Sequence, residues 1–403
     1  MTAEPTRPAR DAGTVTSLRL RNRTRVLRHV ILHPQTTRAE IARTCQLSAA
    51  SAANLVADLI AEGLVVETGQ VASEGGRPIA LLAPRAEGAF TIGADIGERG
   101  VAVELFDLSM TAVDKEFRGG HAQETPEKLA RDLAQAVGAL RERHAEVWDR
   151  VLGVGLAMPG IVETDESGAQ TLYAQNLGWA PVPISDLLRT DVPVHADNGA
   201  KTQARAELWF GAARGVDHAV VALLGRGVGV GLVQGGRLQA GSHSSAGEWG
   251  HTKIERGGRP CSCGGRGCVE AYVGARGMLD AWAARGGQFD GTGWRAVGQL
   301  LDAAAAGDAD ARWVVDDVVS ALGLALANLV NLTNPQRVVV GGWVGIRLMQ
   351  ALAPRIEAAV RESCLDRPGA QFELVESTFG GDTVAVGAAI LPLERLLAEP
   401  LRG

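Results

Sequence analysis

The sequence predicts an α/β protein: a small helical head carrying a β-hairpin, followed by a two-lobed α/β body. Three observations predict it. The chain has 403 residues, enough for two or three domains, and 46% of them are hydrophobic, so a large core can be buried. Glycine is abundant, at 51 residues, while aromatic residues make up only 4%; many tight turns with few aromatic anchors suit α/β layers better than a β-sandwich. Charge is unevenly spread. The formal net charge is −6, yet residues 1–84 hold ten arginines against seven acids, which leaves the remainder at −9. A basic head on an acidic body points the head toward a polyanion.

Residues 1–14 read as a disordered basic tail and residues 15–84 as the head. Seven arginines fall within the first 30 residues: Arg7, Arg10, Arg19, Arg21, Arg23, Arg25 and Arg28. "RNRTRVLRHVILHP" is a helix that stops before Pro34. "TTRAEIARTCQLS" is a short helix with Thr37 as N-cap and Glu40 three residues on, the capping-box spacing. Its Ala39, Ile41 and Ala42 are expected to face a core. Ser48 caps the next helix, which puts Ala52, Leu55, Val56, Leu59 and Ile60 on one stripe and ends at Gly63. Strand, loop and strand follow in "LVVETGQVASEGGRPIALLAP". Three helices and a hairpin make a winged helix-turn-helix, whose second paired helix reads the major groove with its first residues. Those residues are small or polar: Ala49, Ala50, Ser51, Ala53 and Asn54. Alanine methyls suit thymine methyls, and Ser51 or Asn54 suit base edges. This helix carries no arginine, so much of the affinity is expected from phosphate contacts; Arg38, Arg43 and the first helix are the candidates, with Ser48 at the cap. Arg77, in the wing's Gly-Gly-Arg-Pro, suits a narrow minor groove.

The body begins with "AFTIGADIGERGVAVELFDLSMTAV", two strands around a glycine turn. "VLGVGLAMPGIV" is a strand leading into a Pro-Gly turn, and "HAVVALLGRGVGVGLVQGGRLQAG" a hairpin with a glycine-rich bend. "PQRVVVGGW" is a buried strand ending in Gly341-Gly342. Helices are expected around 125–145, 200–212, 310–332 and 347–364. Two glycine loops of phosphate-binding type and a strand ending in Gly-Gly suggest two lobes around a nucleotide cleft. No internal repeat or low-complexity tract stands out.

Three of the five cysteines crowd into Cys261–Cys268. With His251 they offer three thiolates and one imidazole, a donor set for tetrahedral zinc. Four protein ligands leave no place for water, so the zinc is expected to be structural. Cysteines used this way indicate a reducing compartment rather than a disulfide framework, and the expected location is cytoplasmic. No apolar segment of secretory type follows the early arginines, and no apolar run looks long enough to span a bilayer. Cys45 and Cys364 stand alone and are expected to be buried thiols.

From "AGEWGH" through "CSCGGRGCVE" the chain closely resembles the ROK family of sugar kinases and sugar-responsive repressors. "MPGIVETDESG", "NLGW" and "PQRVVVGG" also look like family motifs, and the winged head resembles the repressor branch. The resemblance implies a two-lobed sugar-kinase-like body of the actin/hexokinase, ribonuclease-H-like type. It implies a smaller lobe over 85–190, joined by a C-terminal helix at about 385–403, and a larger lobe over 191–384. Motif by motif, it implies a sugar held by Asn176, Asn198, Glu248, His251 and Glu270. His251 then serves both zinc and sugar. It also implies operator DNA and a sugar effector as partners, and a homodimer or homotetramer.

One stretch departs from the family. In its kinases the base that activates the sugar hydroxyl is the Asp of an Asn-Asp-Ala sequence. Counting back from Glu207 in "AELWFG", Asn198 meets the Asn and Gly199 meets the Asp, while Asp197 falls one residue before the Asn. The first phosphate loop carries Glu98, an anion where phosphate oxygens would sit, and the second reads Gly225-Arg226-Gly227 with a bulky central residue. The expectation is therefore a catalytically inactive body in a transcriptional regulator, a repressor. The alternative is an ATP-dependent sugar kinase with a DNA-binding head and Asp197 as base.

Overall fold

The structure is a computed structural model, and it describes residues 15–72, 78–97, 100–119, 125–380 and 383–398. The basic tail, Arg77 of the wing and Glu98 of the first glycine loop lie outside the described residues. The chain divides into two compact units. One comprises residues 1–89, 107–111 and 393–403; the other comprises 90–106 and 112–392.

In the first unit, helices α1 (Val15–Leu32), α2 (Arg38–Thr44) and α3 (Ala49–Ala61) precede the antiparallel strands β1 (Val65–Val71) and β2 (Ile79–Pro84). Both expected caps form. The Thr37 hydroxyl accepts from the Glu40 amide while the Glu40 carboxylate accepts from the Thr37 amide. The Ser48 hydroxyl accepts from the Ser51 amide. Each such cap is worth about 1 kcal/mol. The α3 stripe buries Ala52, Leu55, Val56 and Leu59. Two expectations fail here. Ile60 is only half-buried, because it lies at the edge of the apolar arc, and on the single buried face of α2 only Ile41 reaches the core, leaving Ala39 exposed. Cys45 is buried, as expected.

The second unit holds two five-stranded sheets. The first lobe is built from β3 (Phe90–Gly97), β4 (Gly100–Asp107), β5 (Ala112–Arg118), α4 (Pro126–Arg143), β6 (Val151–Met158), β7 (Ile161–Thr164), β8 (Gln170–Tyr173), β9 (Val182–Pro183), α5 (Ile184–Leu187) and β10 (Val194–Asn198). Its sheet has the order β5-β4-β3-β6-β10, with β3, β6 and β10 parallel; β7, β8 and β9 form a small antiparallel sheet. Helix α4 shows how the sequence writes this lobe. Thr125 caps it, Pro126 opens it with a φ already suited to a helix, and Leu129, Leu133, Ala136, Val137 and Leu140 recur on the buried face.

The second lobe contains α6 (Gly199–Phe210), β11 (Ala219–Leu224), β12 (Val228–Gln234), β13 (Arg237–Leu238), α7 (Glu270–Val273), α8 (Ala275–Ala284), α9 (Gly293–Ala306), α10 (Ala309–Thr333), β14 (Arg337–Gly341), α11 (Gly342–Ser363), α12 (Asp366–Gly369) and β15 (Glu373–Glu376). The last helix, α13 (Thr383–Ala398), ends the described chain. The sheet order is β13-β12-β11-β14-β15. Both sheets thus place their five strands as third, second, first, fourth and fifth. The architecture repeats although no sequence repeat announces it, because a fold is specified by the pattern of apolar and polar positions rather than by residue identity.

Sheet membership carries the first lobe past residue 190, since β10 closes its sheet at residues 194–198. Helix α13 packs on that sheet through glycines: a side chain at Gly93 or Gly155 would meet the Ala385 or Ala388 carbonyl oxygen at 2.0 or 1.8 Å. Residues from Leu393 onward group with the first unit. Helix α10 corrects the bilayer expectation. By length and composition it is apolar enough to cross a membrane, yet its Val314, Val318, Leu322, Leu326 and Val330 are buried in the second lobe's core. A helix apolar on most of its circumference is what the centre of a large lobe requires. Cys364 is half-buried rather than buried.

Candidate functional site

The ends of the parallel strands place the polar residues. Asp197 and Asn198 end β10, opposite Ala157 and Met158 of β6. Asn198 caps α6: its side-chain oxygen accepts from the Ala200 amide at 2.9 Å, and its side-chain nitrogen donates to the Gly160 carbonyl at 2.8 Å. Gly160 in turn abuts Tyr173 and Ala174, which lead into the short turn bearing the half-buried Asn176.

Glu248 and His251 lie in and just before a short turn over Trp249–His251, and Glu270 opens α7. Burial raises the Glu248 carboxyl above its usual range; His251 and Lys201 pull it down, and Glu270 pushes it up. These groups therefore share one electrostatic neighbourhood. The Glu270 carboxylate is buried and accepts from the Val228 amide at 3.0 Å and the Ser262 hydroxyl at 2.9 Å. It links the second glycine loop to the cysteine loop. Three of the five predicted ring residues, Glu248, His251 and Glu270, thus share one neighbourhood, while the side-chain bonds of Asn198 go to Gly160 and Ala200.

Two charged residues there were not anticipated. Lys201, on α6, is only 3% exposed. Its ammonium donates to the Ser244 carbonyl and lies 3.8 Å from the Asp197 carboxylate. Burial lowers its pKa, while Asp197 and Glu248 oppose that shift. Arg205 donates to the other Asp197 oxygen at 3.2 Å. The Asp197 carboxylate is thus committed to two cations. At Gly199, which the sequence count set against the kinase base, a Cβ would meet the Met158 carbonyl at an ordinary 3.8 Å, so a side chain would fit there.

The Gly225-Arg226-Gly227 bend closes through the Gly225 amide and the Gly227 carbonyl, with Arg226 exposed. Gly341-Gly342 has a packing explanation of its own. Gly342 has φ +73°, and a side chain there would strike the Leu224 carbonyl at 2.4 Å.

The predicted metal ligands converge. One donor atom from each of His251, Cys261, Cys263 and Cys268 lies within 4.8 Å of all the others. The Cys263 and Cys268 sulfurs are 3.7 Å apart, and the Cys261 sulfur is 3.8 Å from His251 Nδ1. A tetrahedral site with thiolates at about 2.3 Å spaces its ligands about 3.8 Å apart. The residues therefore fit a tetrahedral metal ion. Gly267 lets the loop close, with φ +74° and the Glu255 carbonyl 1.7 Å from any Cβ. Lys253 donates to Cys268 Sγ at 2.6 Å and sets a cation beside the thiols. Burial pushes the Cys261 thiol up to about 12.

In the head, Ala49, Ala50, Ser51 and Asn54 are exposed on the first turns of α3, and Ala53 is half-buried. The Ser48 and Ser51 hydroxyls are 2.9 Å apart and serve the cap. Arg43 is exposed, whereas Arg38 pairs with Glu67 of β1 at 2.8 Å.

Comparison with known proteins follows this division. The model for the ROK family matches residues 91–395, and that for the MarR family matches residues 20–75. A xylose repressor of Caldicellulosiruptor bescii is 31% identical over 339 residues, covering 82% of this chain and 84% of its own. A glucokinase of Halalkalibacterium halodurans is 32% identical over 317 residues, covering 74% of this chain and 94% of its own. A solved ROK family transcriptional regulator, described as a homolog of the E. coli MLC protein, matches with TM-score 0.76 at 25% identity, over 95% of this chain and 97% of its own.

Proposed function

The chain belongs to the ROK family and is related to its transcriptional-regulator branch, and from that premise we propose a sugar-responsive repressor whose kinase-like body performs no phosphoryl transfer. One observation carries the reading. The same chain holds a helix-turn-helix with an exposed reading face and a body that keeps the half-buried Glu248 and His251 and the buried Glu270 in one electrostatic neighbourhood. The head binds operator DNA through the first turns of α3, and arginine contacts to phosphate supply most of the affinity. Two half-sites call for a homodimer, or a tetramer built from it. Chromosomal DNA as partner places the protein in the cytoplasm.

The ring recognises a monosaccharide or a derivative of one. Carboxylates accept from vicinal hydroxyls, Asn176 and Asn198 both donate and accept, and any group left unpaired penalises the wrong sugar. The metal is zinc, held by His251 Nδ1 and the thiolates of Cys261, Cys263 and Cys268. With four protein ligands it supplies cross-linking and orients the His251 ring, leaving Nε2 for the sugar.

Phosphoryl transfer is absent because its base is absent. Gly199 holds the register position, and Asp197 is neutralised by Arg205 and Lys201. A general base must have a lone pair within reach of the hydroxyl proton, and both Asp197 oxygens already face cations.

The test is a gel-shift titration on DNA upstream of this protein's own gene, at one stated salt concentration, across a sugar panel. Tight binding released by one sugar is expected, with no ADP formed from ATP and that sugar. Glu248→Gln is expected to keep operator binding and lose the response. Sugar-dependent ADP formation that disappears in Asp197→Asn would establish the kinase alternative instead.

A further inference from the structure

The segment between β13 and Glu248, "QAGSHSSAG", is fastened at both ends and at its tip. Near its base, the Ala246 amide donates to the Ala240 carbonyl at 3.0 Å and the Gly247 carbonyl accepts from Val230 of β12 at 3.2 Å. Gly247 has φ +99°, and a side chain there would strike the Val230 carbonyl at 2.1 Å. At the tip, Ser244 sits at φ +57°, a conformation uncommon for a residue with a side chain. The Lys201 ammonium donates to the carbonyl of this residue. A second, exposed contact joins His243 Nδ1 and Glu163 of β7 at 3.1 Å.

Lys201 is unusual for its charge. A buried ammonium is costly unless carboxylates compensate it. Here Asp197 stands 3.8 Å away on β10, and the charge of Glu248, the residue that ends the segment, also acts on it. One side chain of α6 therefore ties together the end of β10, the loop tip and the electrostatic surroundings of a ring carboxylate. Lysine is almost never buried unless it is paired, so the packing of α6 does not by itself call for one at this position.

We propose that Lys201 is a positioning residue for the effector: it clamps the 239–248 loop against β10 and α6, and so holds Glu248 in its sugar-binding place before the sugar arrives. The inference rests on the sugar-binding reading above. The clamp acts by pre-organisation. Without it the loop samples open states, and apparent sugar affinity falls by the fraction of time the loop is closed. The sugar, by contacting Glu248, closes the same loop.

The test uses full-length protein and the variants Lys201→Met and Asp197→Asn, with two readouts. One is calorimetric sugar affinity across the panel. The other is hydrogen exchange of amides 241–248, with and without sugar. Lys201→Met is expected to weaken sugar binding at least tenfold and to speed exchange in this loop, while metal content and operator affinity hold. Asp197→Asn is expected to weaken it several-fold and to add little when combined with Lys201→Met, because both act through one ion pair. If Lys201→Met does not fold, Asp197→Asn alone carries the test. Unchanged exchange in the loop, or a sugar affinity within twofold of wild type, overturns the clamp. If the wild-type protein binds no sugar yet the variant's loop exchanges faster, the clamp stands and the sugar reading falls.

Discussion

Asp114, on β5, shows how a single carboxylate sets acid sensitivity. It accepts from Arg143 Nε and His144 Nε2, both at 2.8 Å, at the C-terminal end of α4. The Arg143 hydrogen bond leads, followed by that from His144, in holding its carboxyl at about 2. The unfolded value is about 3.9. A depressed folded pKa contributes stability that is present above the unfolded value and lost as pH falls toward the folded one. The pair is partly exposed, so screening reduces its worth to about 1 kcal/mol. Asp114→Asn is expected to cost that amount at pH 6 and almost nothing at pH 2, as read from urea midpoints. A difference between the two proteins that stays constant from pH 6 to pH 2 would refute the assignment. Legibility at this scale depended on whether a residue's role is local. The Thr37 and Ser48 caps and the ligand residues of the cysteine loop were readable, because hydroxyl spacing and thiol spacing act within a few residues. Lys201 was not readable, since burying a charge makes sense only once Asp197 and Ser244 are beside it.

Among elements, those with strong caps and long apolar stripes, such as α3 and α4, form near their expected spans, although Ile60 of α3 stays half-buried. Helices α8 and α9 went unanticipated: glycines flank both, and their buried faces are short. Helix α10 was expected near its true span, but its apolar character was underestimated, because Asp310, Arg312, Asp316 and Asp317 sit in its first turns and interrupt the run. The cysteine loop is the element with the clearest chemical consequence. Its Cys261 thiol, pushed up by burial to about 12, is protonated at neutral pH when no metal is bound. Metal uptake must therefore displace protons, and affinity must rise with pH. Elemental analysis is expected to find about one zinc per chain. A chelator competition is expected to show weaker binding at pH 6 than at pH 8, and Cys261→Ser to lose the metal at both. A protein purified without metal that takes up none at either pH would reject the site.

For the whole molecule, the chain passes between its two compact units at four points, after residues 89, 106, 111 and 392. On the proposed function, a DNA-reading unit and a sugar-holding unit on one chain gain regulation only if each ligand prefers one state of a shared equilibrium. Linkage then makes the coupling reciprocal. If the effector weakens operator binding by a given factor, the operator must weaken effector binding by the same factor; a hundredfold effect corresponds to about 2.7 kcal/mol. The relation holds whatever route the coupling takes. The expected measurement is a pair of titrations in one buffer: operator affinity with and without saturating sugar, and sugar affinity with and without saturating operator. The two ratios should agree within experimental error. Equal sugar affinity in both arms, with operator release still observed, would mean that the sugar acts elsewhere than on this chain's own binding equilibrium. With the factor in hand, Lys201→Met gives a sharper comparison. A pure positioning role lowers sugar affinity equally with and without operator and leaves the factor unchanged. A change in the factor would make the 239–248 loop part of the two-state element itself.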